Sequence, residues 1–249
     1  MKQGLFTVKE NKELSPHTYR MVLDGDTSAV AGPGQFVDIK LPGLFLRRPI
    51  SVCDCNQEGL TLIYRAVGKG TDELADMEAG RKLDLLTGMG TGYDLSDAGD
   101  HPLLIGGGIG CPPLYGLARL LRAMGKEVSV ILGFNTASEI FYEDEFRALG
   151  CDVTVTTADG SHGMKGFVTN AMREKTDCTY FYSCGPKAML KAVYDEAETS
   201  GISGQFSLEE RMGCGFGACM GCTCQTRDGS KRLCKDGPVL RKEEILWES

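Results

Sequence analysis

The sequence predicts an N-terminal antiparallel β-barrel, a doubly wound parallel-sheet domain and a C-terminal cysteine-rich segment, and three observations carry this. Residues 5–10, 17–23, 35–41, 49–54, 60–67 and 82–87 are short β-branched-rich runs broken by turn residues, and several such strands in succession form a small antiparallel barrel. Beyond Asp97-Ala98-Gly99-Asp100, apolar strand-like runs alternate with amphipathic helical segments, which is how a parallel sheet covered by helices reads. From Glu209 onward the chain becomes rich in Gly and Cys, so the expected divisions are 1–98, 99–208 and 209–249. A chain of 249 residues that is 42% hydrophobic is long enough to give two domains their own cores.

Within the first division, a helical stretch at 72–77 follows the fifth strand, with Thr71 as its expected N-cap. In the second, strands at 102–105, 128–132, 152–157, 180–183 and 205–208 are expected, with helices at 114–124, 138–149 and 187–199. The third division is expected to be organised mainly by a metal.

The net charge of -7 argues against a nucleic-acid partner, because no Lys/Arg block is present to neutralise a row of phosphates. The first ten residues lack the apolar stretch of a signal peptide, and no later run approaches membrane-spanning length, so a cytoplasmic location without membrane contact is expected. The eleven cysteines are an odd number in a chain with no export signal, which makes a disulfide framework a poor explanation. Cys53, Cys55, Cys111, Cys151 and Cys178 read as small buried hydrophobes. The histidines, His17, His101 and His162, are too dispersed in sequence to suggest a His-based metal site or a hydrolytic triad.

Four cysteines fall as Cys214-x4-Cys219-x2-Cys222 with Cys234 further on, the plant-type spacing of the thiolates of a 2Fe-2S cluster. Glycines at 213, 215 and 217 let the backbone wrap closely around an inorganic group. Four cysteines also suit zinc. Cys224 competes with Cys234 for the fourth position, but a cysteine distant in sequence can close the far side of the cluster, which favours Cys234.

Three further motifs carry phosphate-binding chemistry. Gly32-Pro33-Gly34-Gln35-Phe36 precedes Arg47-Arg48-Pro49-Ile50-Ser51; a guanidinium fork matches phosphate oxygens, and a hydroxyl hydrogen-bonds a ring edge without titrating. Ile63-Tyr64-Arg65 runs into the Gly-rich turn that holds Gly70 and Thr71, and then into a helix, where backbone N–H groups bind phosphate. Gly106, Gly107, Gly108, Ile109 and Gly110 end a strand, although Pro113 stands where the full dinucleotide fingerprint has its last glycine. Cys184-Gly185-Pro186 ends a later strand.

Together these motifs resemble the ferredoxin-NADP reductase superfamily. The resemblance implies FAD bound by Arg48, Pro49, Ile50, Ser51, Ile63, Tyr64, Arg65, Gly70 and Thr71. It also implies a nicotinamide nucleotide on Gly106 to Gly110 and Cys184 to Pro186, with Cys184 beside the nicotinamide and no residue acting as a catalytic acid or base. NADP-specific relatives carry Arg or Lys in the segment matching Phe134 to Glu139; none is present here and Glu139 repels a second phosphate, so NAD is the expected nucleotide.

The order of these parts, with Glu209-Glu210-Arg211-Met212-Gly213-Cys214 and Cys234-Lys235-Asp236-Gly237-Pro238, resembles the electron-transfer subunits of NAD-linked, type B dihydroorotate dehydrogenases. The resemblance spans the whole chain and departs at Cys111, often aliphatic in relatives, and in the compact interval between Cys222 and Cys234. It implies a hetero-oligomer with an FMN-containing catalytic subunit, and electron flow through a 2Fe-2S cluster and FAD to NAD. The alternatives are an NADH-ferredoxin-type subunit of a bifurcating transhydrogenase or sulfhydrogenase and, in a different class, a zinc-binding interaction module.

Overall fold

The structure, a computed structural model, describes residues 1–56 and 59–247. Among the described residues, strands β1 (Lys2–Ser15), β2 (Thr18–Asp24), β3 (Phe36–Lys40), β4 (Arg48–Asn56), β5 (Gly59–Arg65) and β6 (Lys82–Met89) close into an antiparallel barrel of order β1-β2-β5-β4-β3-β6. Alternation drives closure: Val37, Ile39, Leu60, Leu62, Leu83 and Leu85 all join one buried core. β1 is longer than the run at 5–10 because it pairs with β6 through its first half and with β2 through its second. Register shifts after Val8 and Glu13 bend it between the two partners.

Helix α1 (Lys69–Ala75) begins three residues before the expected start, and Gly68, not Thr71, holds the N-cap position. Thr71 is already inside the first turn; its hydroxyl donates to the Gly68 carbonyl at 3.0 Å and accepts from the Val67 N–H at 2.9 Å. It therefore braces the turn from within.

The second unit follows as β7 (Pro102–Gly107), α2 (Pro112–Ala123), β8 (Ser129–Phe134), α3 (Glu143–Ala148), β9 (Asp152–Thr157), β10 (Met164–Lys165), α4 (Val168–Met172), β11 (Tyr180–Cys184), α5 (Lys187–Ser200) and β12 (Gly204–Ser207). In β7, Leu104 packs into one core with Leu114 and Leu117 of α2 and Phe146 of α3, whereas Leu103 and Ile105 pack into another with Val168 of α4 and Leu190 of α5. A sheet buried on both faces needs apolar residues at successive positions, and Leu103-Leu104-Ile105 supplies them.

The helix expected over 138–149 is a single 3-10 turn, Ala137–Glu139, followed by the shorter α3. The break lies where Phe141 packs edge-on to Phe134, Tyr142 packs on Tyr115, and Tyr142 takes a left-handed conformation at φ 66°. Aromatic packing there overrides helical propensity.

The C-terminal segment has a protein scaffold of its own. Strands β13 (Thr223–Thr226) and β14 (Gly229–Arg232) form a hairpin, α6 (Leu233–Asp236) is a single helical turn, and β15 (Val239–Arg241) pairs antiparallel with β12. The larger sheet thus runs β10-β9-β8-β7-β11-β12-β15. The Thr91 N–H donates to the Gly237 carbonyl at 2.5 Å, tying this segment to the end of the barrel as well. Among the described residues no helix is long and apolar enough to cross a membrane.

Candidate functional site: two adjoining clefts and a cysteine loop

In the sheet, β7 and β11 lie side by side, with Gly106 paired to Cys184. The chain progresses outward from β7 to β8 and β9 on one side, and to β11 and β12 on the other. A doubly wound sheet opens a crevice at such a reversal, beyond the carboxyl ends of the strands. Both glycine-bearing turns sit there. A β-carbon on Gly110 would run into the backbone carbonyl of Cys184, so glycine is required there by contact, whereas one on Gly107 would meet the Met189 sulfur, the end of a flexible side chain. Gly106 differs: a β-carbon there would stand 2.9 Å from the Cys111 sulfur and 3.2 Å from Leu114, so this glycine serves the packing of α2 on β7.

A cleft of about 430 Å³ spans barrel and sheet. Pro49, Ile50, Ser51, Ile63, Tyr64, Arg65 and Thr71 line its barrel side, and Ile109, Gly110, Cys184, Gly185 and Pro186 its sheet side. Residues more than a hundred positions apart are thereby brought onto one surface. Tyr64 only borders it, because its ring lies in the barrel core and its hydroxyl donates to Asn11 Oδ1 at 2.9 Å. Arg48 and Gly70 do not line the cleft itself but meet each other: a β-carbon on Gly70 would run into the Arg48 guanidinium. Arg48 Nη1 donates to the Leu46 carbonyl at 2.7 Å, which aims the fork. Burial pushes the Cys184 thiol up to about 12, so it stays protonated at neutral pH.

A second cleft of about 590 Å³ adjoins the first and shares Arg65, Ile109 and Pro186 with it. Its walls include Gly107, Gly108, Asn135 and Glu139, together with Phe167, Val168 and Thr169 at the start of α4, which carry no sequence motif. Glu139 accepts from Asn135 Nδ2 at 2.9 Å, and Arg65 of the barrel approaches it at 3.8 Å. Arg65, expected at the flavin alone, therefore stands at both clefts.

The four spaced cysteines come together in two pairs. Cys214 and Cys219 exchange backbone donors, each N–H reaching the other's sulfur at 3.4 Å, while the Cys234 N–H donates to Cys222 Sγ at 3.4 Å. Among the described residues, no three His, Cys, Asp or Glu side chains converge as a site for one metal ion. Burial opposes ionisation of Cys214 most strongly, but the N–H groups of Cys219, Phe216 and Ala218 and the Cys219 thiol together outweigh it and bring the thiol down to about 6. Burial pushes Cys234 up to about 12, reinforced by Cys222. Amide donors aimed at sulfur suit a thiolate-held inorganic group, since they stabilise the charge that such a group places on sulfur.

Cys222 and Cys234 are 1% and 2% exposed and share an apolar cluster with Phe36 and Met89 of the barrel. Cys219, Phe216 and Met220 face solvent. Cys224 sits on β13 and lines a separate cavity of about 250 Å³ with Leu190, Leu240 and Trp247. Glu209, Glu210, Met212 and Pro238 of the cysteine-bearing segment line the first cleft, so that segment is continuous with the cleft wall. Of the other cysteines, Cys53, Cys111 and Cys151 are buried as expected, but Cys55 and Cys178 are only half-buried.

Residues 209–246 match the iron-sulfur cluster binding domain of dihydroorotate dehydrogenase B, and residues 104–195 match the oxidoreductase NAD-binding domain. The chain is 43% identical to the dihydroorotate dehydrogenase B (NAD(+)) electron transfer subunit of Bacillus pumilus, across 98% of each chain, and 44% identical to that of Bacillus cereus strain B4264, again across 98% of each. The chain belongs to this family of electron-transfer subunits. Its fold also matches that of an NADH-dependent reduced ferredoxin-NADP oxidoreductase, with TM-score 0.89 and 31% identity over 98% of this chain and 90% of the other. A ferredoxin NADP+ reductase from Neisseria gonorrhoeae shares the fold at TM-score 0.71 and 17% identity, covering 81% of this chain and 92% of that one. As in the family, an iron-sulfur domain follows an NAD-binding domain in one oxidoreductase chain.

Proposed function

We propose that this chain is the FAD- and 2Fe-2S-bearing subunit through which electrons from dihydroorotate, oxidised at the FMN of a separate catalytic subunit, reach NAD in the cytoplasm during pyrimidine synthesis. The observation that carries the reading is the continuity of the three sites: one cleft is walled by the barrel motif, by the Cys184-Gly185-Pro186 turn and by the head of the cysteine segment. A flavin supplies the ability to exchange a hydride with nicotinamide and to exchange electrons singly with an iron-sulfur centre. Arg48 holds its pyrophosphate, Ser51 hydrogen-bonds the ring edge, and Gly110 with Cys184 to Pro186 leaves room for the nicotinamide beside it. Cys214, Cys219, Cys222 and Cys234 hold the cluster.

Pairwise cysteines support a two-iron centre over zinc. One zinc ion draws four thiolates to a single point, whereas two irons each take two, and the pairs Cys214/Cys219 and Cys222/Cys234 follow that division. Iron and sulfide analysis checks the set: Cys234→Ser is expected to lose both, and Cys224→Ser to keep both, because Cys224 faces another cavity.

The likeness to the NADH-dependent reduced ferredoxin-NADP oxidoreductase favours a second reading, a subunit of a bifurcating enzyme. The 43% identity across 98% of both chains and the match of the cysteine segment favour the first. Mixing the chain with the FMN subunit decides between them. Dihydroorotate-dependent NAD reduction is expected only from the pair, and absence of a complex sinks the first reading.

Glu139, held by Asn135 and facing Arg65, suits a ribose diol and opposes a second phosphate. Flavin reduction at equal subsaturating concentration is therefore expected to be at least about tenfold faster with NADH than with NADPH, a difference of about 1.4 kcal/mol. Anaerobic stopped-flow at the flavin band measures it, and equal rates overturn the assignment of Glu139.

A further inference from the structure

Asp38 is a buried carboxyl group that no part of the site described so far uses. It is 2% exposed and its Oδ1 is buried without a hydrogen-bond partner. Its neighbours on β3, Val37 and Ile39, point into the barrel core, so Asp38 and Phe36 share the outer face. Phe36 lines the first cleft, as does Pro49, which stands opposite Asp38 on β4. On its other side the carboxyl packs against the cysteine loop: a β-carbon on Gly215, the residue after Cys214, would run into Asp38 Oδ2. Gly215 also has φ +77°, a conformation that favours glycine. The carboxyl group is thus wedged between the cleft and the cysteine loop.

Among the described residues, the charged groups around it form no ion pair with it. Arg47 donates to the Asp38 backbone carbonyl at 3.2 Å but pairs with Asp84 of β6 at 3.0 Å, and Arg48 is turned to the Leu46 carbonyl. The cysteine loop presents backbone at Gly215. Burial raises the Asp38 carboxyl to about 6, against the pull of Arg47 and Arg48. An asparagine or an apolar residue would avoid the cost of an unpaired buried carboxyl, which marks the position as functional.

We propose that Asp38 is a positioning residue for electron transfer, whose charge lowers the reduction potential of the centre held by Cys214 and its partners and which takes up one proton for each electron held there. The inference rests on the cluster and flavin assignments above. When one electron arrives, the added negative charge raises the proton affinity of the carboxylate. One proton from solvent converts it to the acid, and the net charge of the region is unchanged. On reoxidation the electron passes to the acceptor and the proton returns to solvent.

The sign of the pH dependence follows from linkage. Below the pKa that the carboxyl has in the oxidised state, it is protonated in both redox states, so the potential is flat. Above that value the oxidised state has lost the proton and the reduced state retains it, so the potential falls as pH rises. It flattens again once the carboxyl is ionised in both states.

The test is a redox titration of the two-subunit holoenzyme from about pH 5 to about pH 9, following the paramagnetic signal of the reduced cluster. In the wild type the midpoint is expected to fall between about pH 6 and pH 8. Asp38→Asn is expected to remove that slope and to give a higher midpoint than wild type at pH 8, and Asp38→Glu to restore the slope. A flat wild-type line overturns the proposal without recourse to any variant, as does an Asn variant that keeps both slope and midpoint. Absence of the signal from wild type would instead defeat the cluster assignment, so the two failures are distinct.

Discussion

Cys222→Ser is expected to abolish dihydroorotate-dependent NAD reduction by the two-subunit enzyme while leaving NADH-dependent dye reduction at the wild-type level. Cys222 is 1% exposed, receives the Cys234 N–H at its sulfur, and lies in the apolar cluster that joins the cysteine segment to Phe36 and Met89. Serine replaces a soft thiolate with a hydroxyl that iron-sulfur centres bind poorly. Loss of an outer-shell partner alone costs about 10- to 100-fold in metal affinity, so loss of a direct ligand is expected to lower coupled activity by more than about 100-fold. Cys222 lines neither cleft, and flavin retention and hydride exchange with nicotinamide are therefore spared. The readouts are iron and sulfide content, the flavin-to-protein ratio and the two activities. Full coupling in an iron-free variant would mean that electrons bypass the cysteine loop altogether.

The barrel and the parallel sheet were legible because their strands carry period-2 or continuous apolar patterns, as in Leu60 to Tyr64 and Leu103 to Ile105. The two glycine turns were legible because contact excludes side chains there, at Gly110 above all. What escaped depends on partners far away in sequence. Phe167 to Thr169 follow a glycine-punctuated loop without periodicity, and only the packing of α4 brings them to the second cleft. Arg65 ends a barrel strand, yet it approaches Glu139 because the two domains face each other across the clefts. The cysteine segment was expected to depend on metal for order, whereas β15 extends the large sheet and Gly237 hydrogen-bonds the barrel end. Within Phe36-Val37-Asp38-Ile39, an alternating strand read alone places Asp38 on a polar face; the loop around Gly215 is what buries it.

Two substitutions that act on one guanidinium from opposite sides are expected to give the same defect. Arg48→Ala removes the charge proposed for the FAD pyrophosphate, and a charge-assisted contact contributes about 1.5 to 3 kcal/mol, so flavin affinity is expected to fall by about 10- to 150-fold. Gly70→Ala keeps that charge but puts a β-carbon where the Arg48 side chain lies. The obstructed atoms are the far end of a flexible side chain, so the fold survives and the fork is pushed off its line instead. Gly70→Ala is accordingly expected to weaken flavin binding by a similar or smaller factor, and adding Gly70→Ala to Arg48→Ala is expected to cost little more, because neighbours sharing one partner are not additive. Titration of the apoprotein with FAD, with thermal unfolding as the control for folding, measures all three variants. Independent, additive losses would show that Gly70 serves the phosphate through its own backbone, and unchanged affinity in Arg48→Ala would remove the guanidinium from the flavin site.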